Sequence, residues 1–258
     1  MGVQDKLRMV LVGATLLATG TVSAQGIVSG DEAKARKYAG CMQLARGKPE
    51  QAHGMARTWL VQGGGHAATH CLSVALLGMG QYDQAARNME ALAMGLKGGS
   101  AALRGDLMGQ AGNAWMIAGK PGLAFAAQSR ALALKPDDVG LLIDRGITLA
   151  STGNYWEALD DLNRAIELDP ARAEALVFRA AAYRNLDSLE LAANDNARAL
   201  ELRPDNLDAL LERGEIRRNR KDTEGARADW MRVLDLAAEG PVADAARRYL
   251  ENMDVKTQ

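Results

Sequence analysis

Pro136, Pro170 and Pro204 stand 34 residues apart, and the chain between them repeats. The segment VGLLIDRGITLASTGNYWEALDDLNRAIELDP (139–170) aligns without gaps on AEALVFRAAAYRNLDSLELAANDNARALELRP (173–204). Carried outward, this register gives six units, beginning at 33, 66, 105, 139, 173 and 207. One column is alanine in every unit: Ala52, Ala85, Ala124, Ala158, Ala192 and Ala226. Twelve residues earlier the column is always small: Gly40, Ser73, Gly112, Gly146, Ala180 and Gly214. A fixed recurrence of this length constrains the fold more than any other feature, because each unit must be one supersecondary element that stacks on its copies.

The two small columns point to paired helices. Antiparallel helices reach the short end of the usual ~8–10 Å separation only where the crossing residues carry almost no side chain. Glycines at Gly47, Gly80, Gly119 and Gly153 are expected to end the first helix of four units in the left-handed conformation. Pro49 and Pro121 follow two of these turns, where the first helical turn accepts proline, and no proline interrupts an expected helix. In the fourth unit Ala158, Leu159, Leu162, Ala165 and Ile166 form one apolar stripe. Composition agrees: hydrophobic residues make up 48% of the chain but aromatics only 4%, so alanine and leucine, strong helix formers, carry the apolar content. After Pro241, Val242, Ala246, Tyr249, Leu250 and Met253 recur at helical spacing, which predicts a terminal capping helix over 241–258. A longer junction, GLKGGSAALR (95–104), is expected between the second and third units.

Residues 1–24 are expected to lie outside the fold as a signal peptide. Lys6 and Arg8 precede the apolar run from Met9 to Ala18, and Val22-Ser23-Ala24 offers small residues for cleavage before Gln25. Residues 25–32 then form a short lead. Of 31 basic and 32 acidic residues, removal of Lys6, Arg8 and Asp5 leaves 29 and 31, a charge of −2. No nucleic-acid partner and no stable membrane insertion after cleavage are expected. The expected location is the periplasm of a Gram-negative bacterium, or the medium around it.

Taken together, these residues resemble the tetratricopeptide-repeat (TPR) family. The fourth unit carries its pattern in Leu142, Gly146, Leu149, Gly153, Tyr155, Ala158, Leu162, Ala165 and Pro170, and the resemblance runs over roughly 31–240. It departs from the pattern at Arg36 and Ala56, at Asn196, and at Arg217, Lys221 and Thr223. The resemblance implies an all-α, right-handed solenoid of about six hairpins over 33–240. It also implies a non-enzymatic function: a scaffold that binds another protein or peptide on its concave face, in cell-envelope assembly or secretion. Carried over by position, the groove residues would include Gly140, Ile143, Ile147, Ala150 and Ser151, then Glu174, Val177, Ala181, Arg184 and Asn185, then Asp208, Leu211, Glu215, Arg218 and Asn219. A carboxylate clamp for a chaperone tail is excluded, because Cys41, Cys71, Asp106 and Gln110 replace its basic and amide residues although Lys37 is present.

All cysteines and histidines fall between Cys41 and Cys71. The resemblance implies that these two cysteines, on neighbouring first helices, are close. A disulfide is the expected outcome in an oxidising compartment, with free thiols the alternative. A second reading makes the chain a metal-binding or redox-responsive envelope protein centred on Cys41, His70 and Cys71. Against a metal, Cys71 points about 100° around the helix from His70. The three histidines are expected to be solvated or capping groups, and neither a metal nor a cofactor is assigned. No nucleophile, phosphate-loop or haem signature is present. The basic run Arg217–Lys221 is expected to end a first helix, Asp160 and Asp161 to face solvent, and Trp115, Trp156 and Trp230 to lie in the core.

Overall fold

Ala52, Ala85, Ala124, Ala158, Ala192 and Ala226 all have no exposed surface in the computed structural model of the chain. The structure describes residues 32–96 and 99–255, together with Ile27. The expected signal peptide, most of the lead, Lys97 and Gly98 of the junction and the last three residues lie outside the described residues. The described residues form thirteen α-helices and no strand: α1 (Glu32–Gly47), α2 (Pro49–Val61), α3 (Gly65–Gly78), α4 (Tyr82–Gly95), α5 (Ala101–Ile117), α6 (Pro121–Leu134), α7 (Val139–Ser151), α8 (Tyr155–Leu168), α9 (Ala173–Asn185), α10 (Leu189–Leu202), α11 (Leu207–Asn219), α12 (Thr223–Leu236) and α13 (Pro241–Val255). The fold is an all-α solenoid of stacked helical hairpins. It divides into two compact units, one ending at Asp144 and the other beginning at Arg145, inside α7.

The small columns mark where paired helices touch. A Cβ added at Gly146 would lie 3.4 Å from the Ala158 carbonyl oxygen and 3.0 Å from Leu162 Cγ. At Gly112 the same atom would meet Gln128 Cγ at 2.6 Å, and at Gly214 it would run into the Trp230 indole. In these three hairpins the second-helix residue Gln128, Leu162 or Trp230 therefore seats on bare backbone of the first helix. Gly40 is different: a Cβ there meets nothing within 4 Å, because the facing position in the first unit is Ala56 rather than a bulky residue.

Turns are equally periodic. Gly80, Gly119 and Gly153 are left-handed, at φ 73°, 73° and 85°. Asp187 and Lys221 hold the same place in the next two units at φ 58° and 67°, a conformation that costs a side-chain-bearing residue about 1–2 kcal/mol. Gly47 departs from expectation. It is the last residue of α1 and not left-handed; Lys48, which precedes Pro49, makes the turn in a more extended conformation at φ −144°. The junction before the third unit also differs. The Ser100 hydroxyl accepts a hydrogen bond from the Leu103 amide, so α5 starts at Ala101.

In the unit beginning at Arg145 each hairpin carries a charged tie. Arg145 donates from Nε and Nη2 to Asp161, both at 2.7 Å, and Arg179 does the same to Asp195. Arg213 repeats the arrangement on Asp229, which also accepts from Arg217 at 2.8 Å. Arginines and aspartates alike recur every 34 residues. Asp161, expected in solvent, is buried by its arginine partner. Trp115 and Trp230 are in the core, but Trp156 is 68% exposed on the first turn of α8. The basic run ends α11 as expected, and its arginines are consumed locally: Arg217 on Asp229, Arg218 on Glu215, Arg220 on Glu190.

The last helix keeps the register. Pro241 is 34 residues after Leu207, and α13 packs on both α11 and α12, as a seventh first helix would. On α13, Arg248 stands where the other units have a small residue.

The two kinds of glycine should respond oppositely to alanine. Gly214→Ala should cost about 1–3 kcal/mol by overpacking Trp230. Gly40→Ala, with open space and a helical backbone, should gain about 0.5–1 kcal/mol. Urea unfolding followed by circular dichroism checks both.

Candidate functional site

The structure separates the groove residues carried over from the sequence into two kinds. Ile143, in the unit ending at Asp144, is 1% exposed. In the other unit Ile147, Val177 and Leu211 are 3%, 1% and 3% exposed. These aliphatic side chains are core, where neighbouring helices close over them, and they do not form an open apolar wall. Glu174, Arg184, Asn185, Asp208 and Arg218 keep part of their surface, while Glu215 is buried. All six lie on α9 and α11, which pack on each other.

Most of these polar residues are engaged, in separate contacts. Arg184 clasps Glu212 through Nε–Oε1 at 2.6 Å and Nη2–Oε2 at 3.1 Å. Burial pushes the Glu212 carboxyl up, and Glu215 adds to that against the pull of Arg184. Burial works against the Arg184 charge, yet Glu212 holds the guanidinium above its ordinary value. Arg218 donates to Glu215 Oε2 at 2.7 Å and lies 6.0 Å from the Tyr249 ring centre. Tyr249, on α13, stacks at 5.1 Å on Trp230, and burial, with the Glu215 charge behind it, raises its hydroxyl. Asn185 donates to the Ala181 carbonyl at 2.7 Å. Glu174 accepts from Arg172 at 3.0 Å. Asp208 is pushed up to about 6, first by burial and then by Glu174. Sequence position alone points to neither Glu212 nor Tyr249. Glu212 sits at the sixth place of its unit, equivalent to Cys71 and Gln110 and outside the groove residues carried over; its Arg184 partner 28 residues earlier is what identifies it.

The other unit holds the cysteines and histidines. Cys41 and Cys71 are joined by a disulfide with Cα atoms 6.1 Å apart, and both are fully buried. Closing a loop of this length contributes about 3–4 kcal/mol by restricting the unfolded chain. With both sulfurs bonded to each other, the trio Cys41, His70 and Cys71 has no thiolate to offer a metal. Among the described residues no group of three or more histidine, cysteine or acidic side chains could hold one.

His70 is not solvated. It is 1% exposed: its Nδ1 is 2.6 Å from the Tyr38 hydroxyl and its Nε2 is 3.0 Å from Gln110 Oε1. A neutral ring protonated at Nε2 satisfies both contacts, accepting from Tyr38 and donating to Gln110. This chain of contacts crosses α1, α3 and α5. Its partners lie 32 and 40 residues away, so local spacing, which sets His70 one turn from exposed His66, does not reveal them.

The repeats place the chain among tetratricopeptide-repeat folds. Residues 118–183 match the family model described as tetratricopeptide repeat. No curated protein sequence matches the chain. Among solved structures, TTC0263, a thermophilic TPR protein in Thermus thermophilus, is 18% identical, with 73% of this chain and 98% of that one covered at a TM-score of 0.60. The APC/C hetero-tetramer Cut9-Hcn1 covers 95% of this chain with 46% of its own, at 16% identity and a TM-score of 0.64. YrrB, described as a TPR protein with an unusual peptide-binding site, is 20% identical over 70% of this chain and 91% of that one, at a TM-score of 0.50. At these identities the likeness is one of fold.

Burial holds the His70 imidazole below its ordinary pKa, against the Gln110 hydrogen bond. The unfolded chain takes up this proton near pH ~6.5 while the folded chain resists it, so the contribution is present above that pH and lost below it. Asp208 has the opposite sign, adding stability as pH falls through about 6. Thermal unfolding at about pH 7 and about pH 5.5 should therefore differ between wild type and His70→Gln. Wild type should lose relative stability on acidification, by up to about 1.4 kcal/mol per pH unit.

Proposed function

We propose that the chain is a non-enzymatic adaptor that binds a partner polypeptide along the first-helix face of the unit beginning at Arg145. One observation carries the reading: Glu174 and Asp208, Arg184 and Arg218, and Asn185 and Asn219 occupy equivalent places on the adjacent helices α9 and α11. They present polar groups in register over a packed floor of Val177 and Leu211. A surface ruled in this way suits an extended or helical peptide, whose own side chains recur at fixed intervals. The peptide-binding site named for YrrB supports the same use of a fold of this kind. No described helix is long and apolar enough to cross a membrane.

The adaptor works in the periplasm after removal of residues 1–24, in envelope assembly or secretion. The charge order of the first 24 residues and a buried disulfide between the chain's two cysteines support this location. The mature protein purified from a Gram-negative envelope fraction should begin at Gln25 on N-terminal sequencing; a chain that still begins at Met1 removes the location.

Substituting Val177 or Leu211 would test packing rather than binding. A photo-crosslinking amino acid at Ala181 or Asn185 leaves the core intact. It should yield a discrete adduct with one partner in living cells, whereas the same group at exposed Trp156 or Met231 should not. Equal labelling from both sets would defeat the assignment of this face.

A further inference from the structure

A second helix meets the following first helix at α8 and α9, and again at α10 and α11, and equivalent places are filled differently at the two joints. At the earlier joint Arg179 clasps Asp195 through Nε and Nη2 and gives Nη1 to Asn163 Oδ1 on α8, at 2.8 Å. Leu159 is buried there, and Tyr183 lies beside the Arg179 guanidinium, 5.9 Å from its ring centre. At the later joint, 34 residues further on, Ala197 replaces Asn163, Ala193 replaces Leu159 and Arg217 replaces Tyr183. Bulk and an acceptor are lost together. A cleft of about 520 Å³ lies between α10 and α11, walled by Ala193, Ala197, Leu200 and Ile216.

The arginines that line this cleft are short of acceptors. Arg213 commits Nε and Nη2 to Asp229, as Arg179 does to Asp195, but Ala197 offers nothing to Nη1 and no other described residue accepts from it. Arg217 leans on the same Asp229 at 2.8 Å. Two guanidiniums thus divide one buried carboxylate, and one positive charge is left over. Arg220, the third, holds Glu190, which is 88% exposed, so that pair opens at little cost. Among the lining residues the one carboxylate, Glu201, is exposed and pairs with none of these arginines.

We propose that this cleft takes an aspartate or glutamate side chain of a partner polypeptide, its carboxylate on Arg213 and Arg217 and an aliphatic neighbour against Ala193, Ala197 and Leu200. The carboxylate supplies the oxygen that Asn163 gives at the earlier joint, and a guanidinium suits it by geometry as well as charge. Apolar walls favour a polypeptide over a free anion, which would leave them wet. Glu201 repels a doubly charged phosphate more than a singly charged carboxylate. The surface is independent of the adaptor face proposed above: its α11 residues are Arg213, Ile216, Arg217 and Arg220, and none of them belongs to the polar rows on α9 and α11.

The test rebuilds the earlier joint at the later one. Ala197→Asn gives Arg213 an acceptor from an exposed position, and Ala197→Asn/Arg217→Tyr also fills the cleft; circular dichroism checks the folding of both. A phage-displayed library of random dodecapeptides is depleted on the single variant and then panned on the full-length wild-type protein. The surviving peptides should share an aspartate or glutamate beside an aliphatic residue. A synthetic peptide from that pool should bind either variant about tenfold more weakly or worse, and should lose as much when its acid becomes the amide. Its binding should be unchanged by Glu174→Gln on the first-helix face. Survivors without a shared acid, or indifferent to the amide, would overturn the proposal. An empty pool would overturn it too and leave the first-helix face untouched; inorganic phosphate bound by wild type but not by the single variant would then make the cleft a site for free anions.

Discussion

Everything in this protein depends on how near two helices of a hairpin can come. At the crossing of the fourth hairpin the backbone of Gly146 lies against the Ala158 carbonyl and the Leu162 side chain, so closely that a further carbon atom would have to push Leu162 aside by a few tenths of an ångström. Dispersion and apolar burial are short-ranged, so this approach lets two short amphipathic helices fill a core without large aromatic residues. It also explains the composition: with alanine at the crossings, the packed interior needs few side chains larger than leucine. Units of this kind bury a face only against their neighbours, which ties stability to stacking.

The second unit adds charge to this apolar scheme. Its three hairpins each place an arginine on one helix and an aspartate on the other, in two-point contact and mostly shielded from water. Buried pairs of this kind gain little net energy over apolar residues, but removing one partner leaves a costly unpaired charge. They therefore act as keys for register: a slipped hairpin would strand a carboxylate or a guanidinium. The other unit uses different bonds for the same end, a disulfide between α1 and α3 and the hydrogen-bonded chain from Tyr38 through His70 to Gln110.

How much of this is legible in the sequence follows from the range of each interaction. The hairpins are legible, because the need for small residues recurs wherever two helices cross and leaves a column in the alignment. The charged ties leave an equal trace at 34-residue spacing, but Arg145, Arg179 and Arg213 look like ordinary surface residues until their partners are seen. The burial of His70 is not legible, because its partners lie on two other repeats and leave no local pattern. The character of the first-helix face is not legible from place alone. Family position puts Val177 and Leu211 on α9 and α11, while their burial is set by how closely those helices pack.

The last described helix differs from the other first helices at one packing position. At the place where Gly214 receives Trp230, α13 carries Arg248, whose Nε is shut away from water. A further hairpin partner could not seat on that guanidinium as it does on bare glycine. Packing a second helix on α13 in the way α12 packs on α11 would therefore require a small residue in place of Arg248.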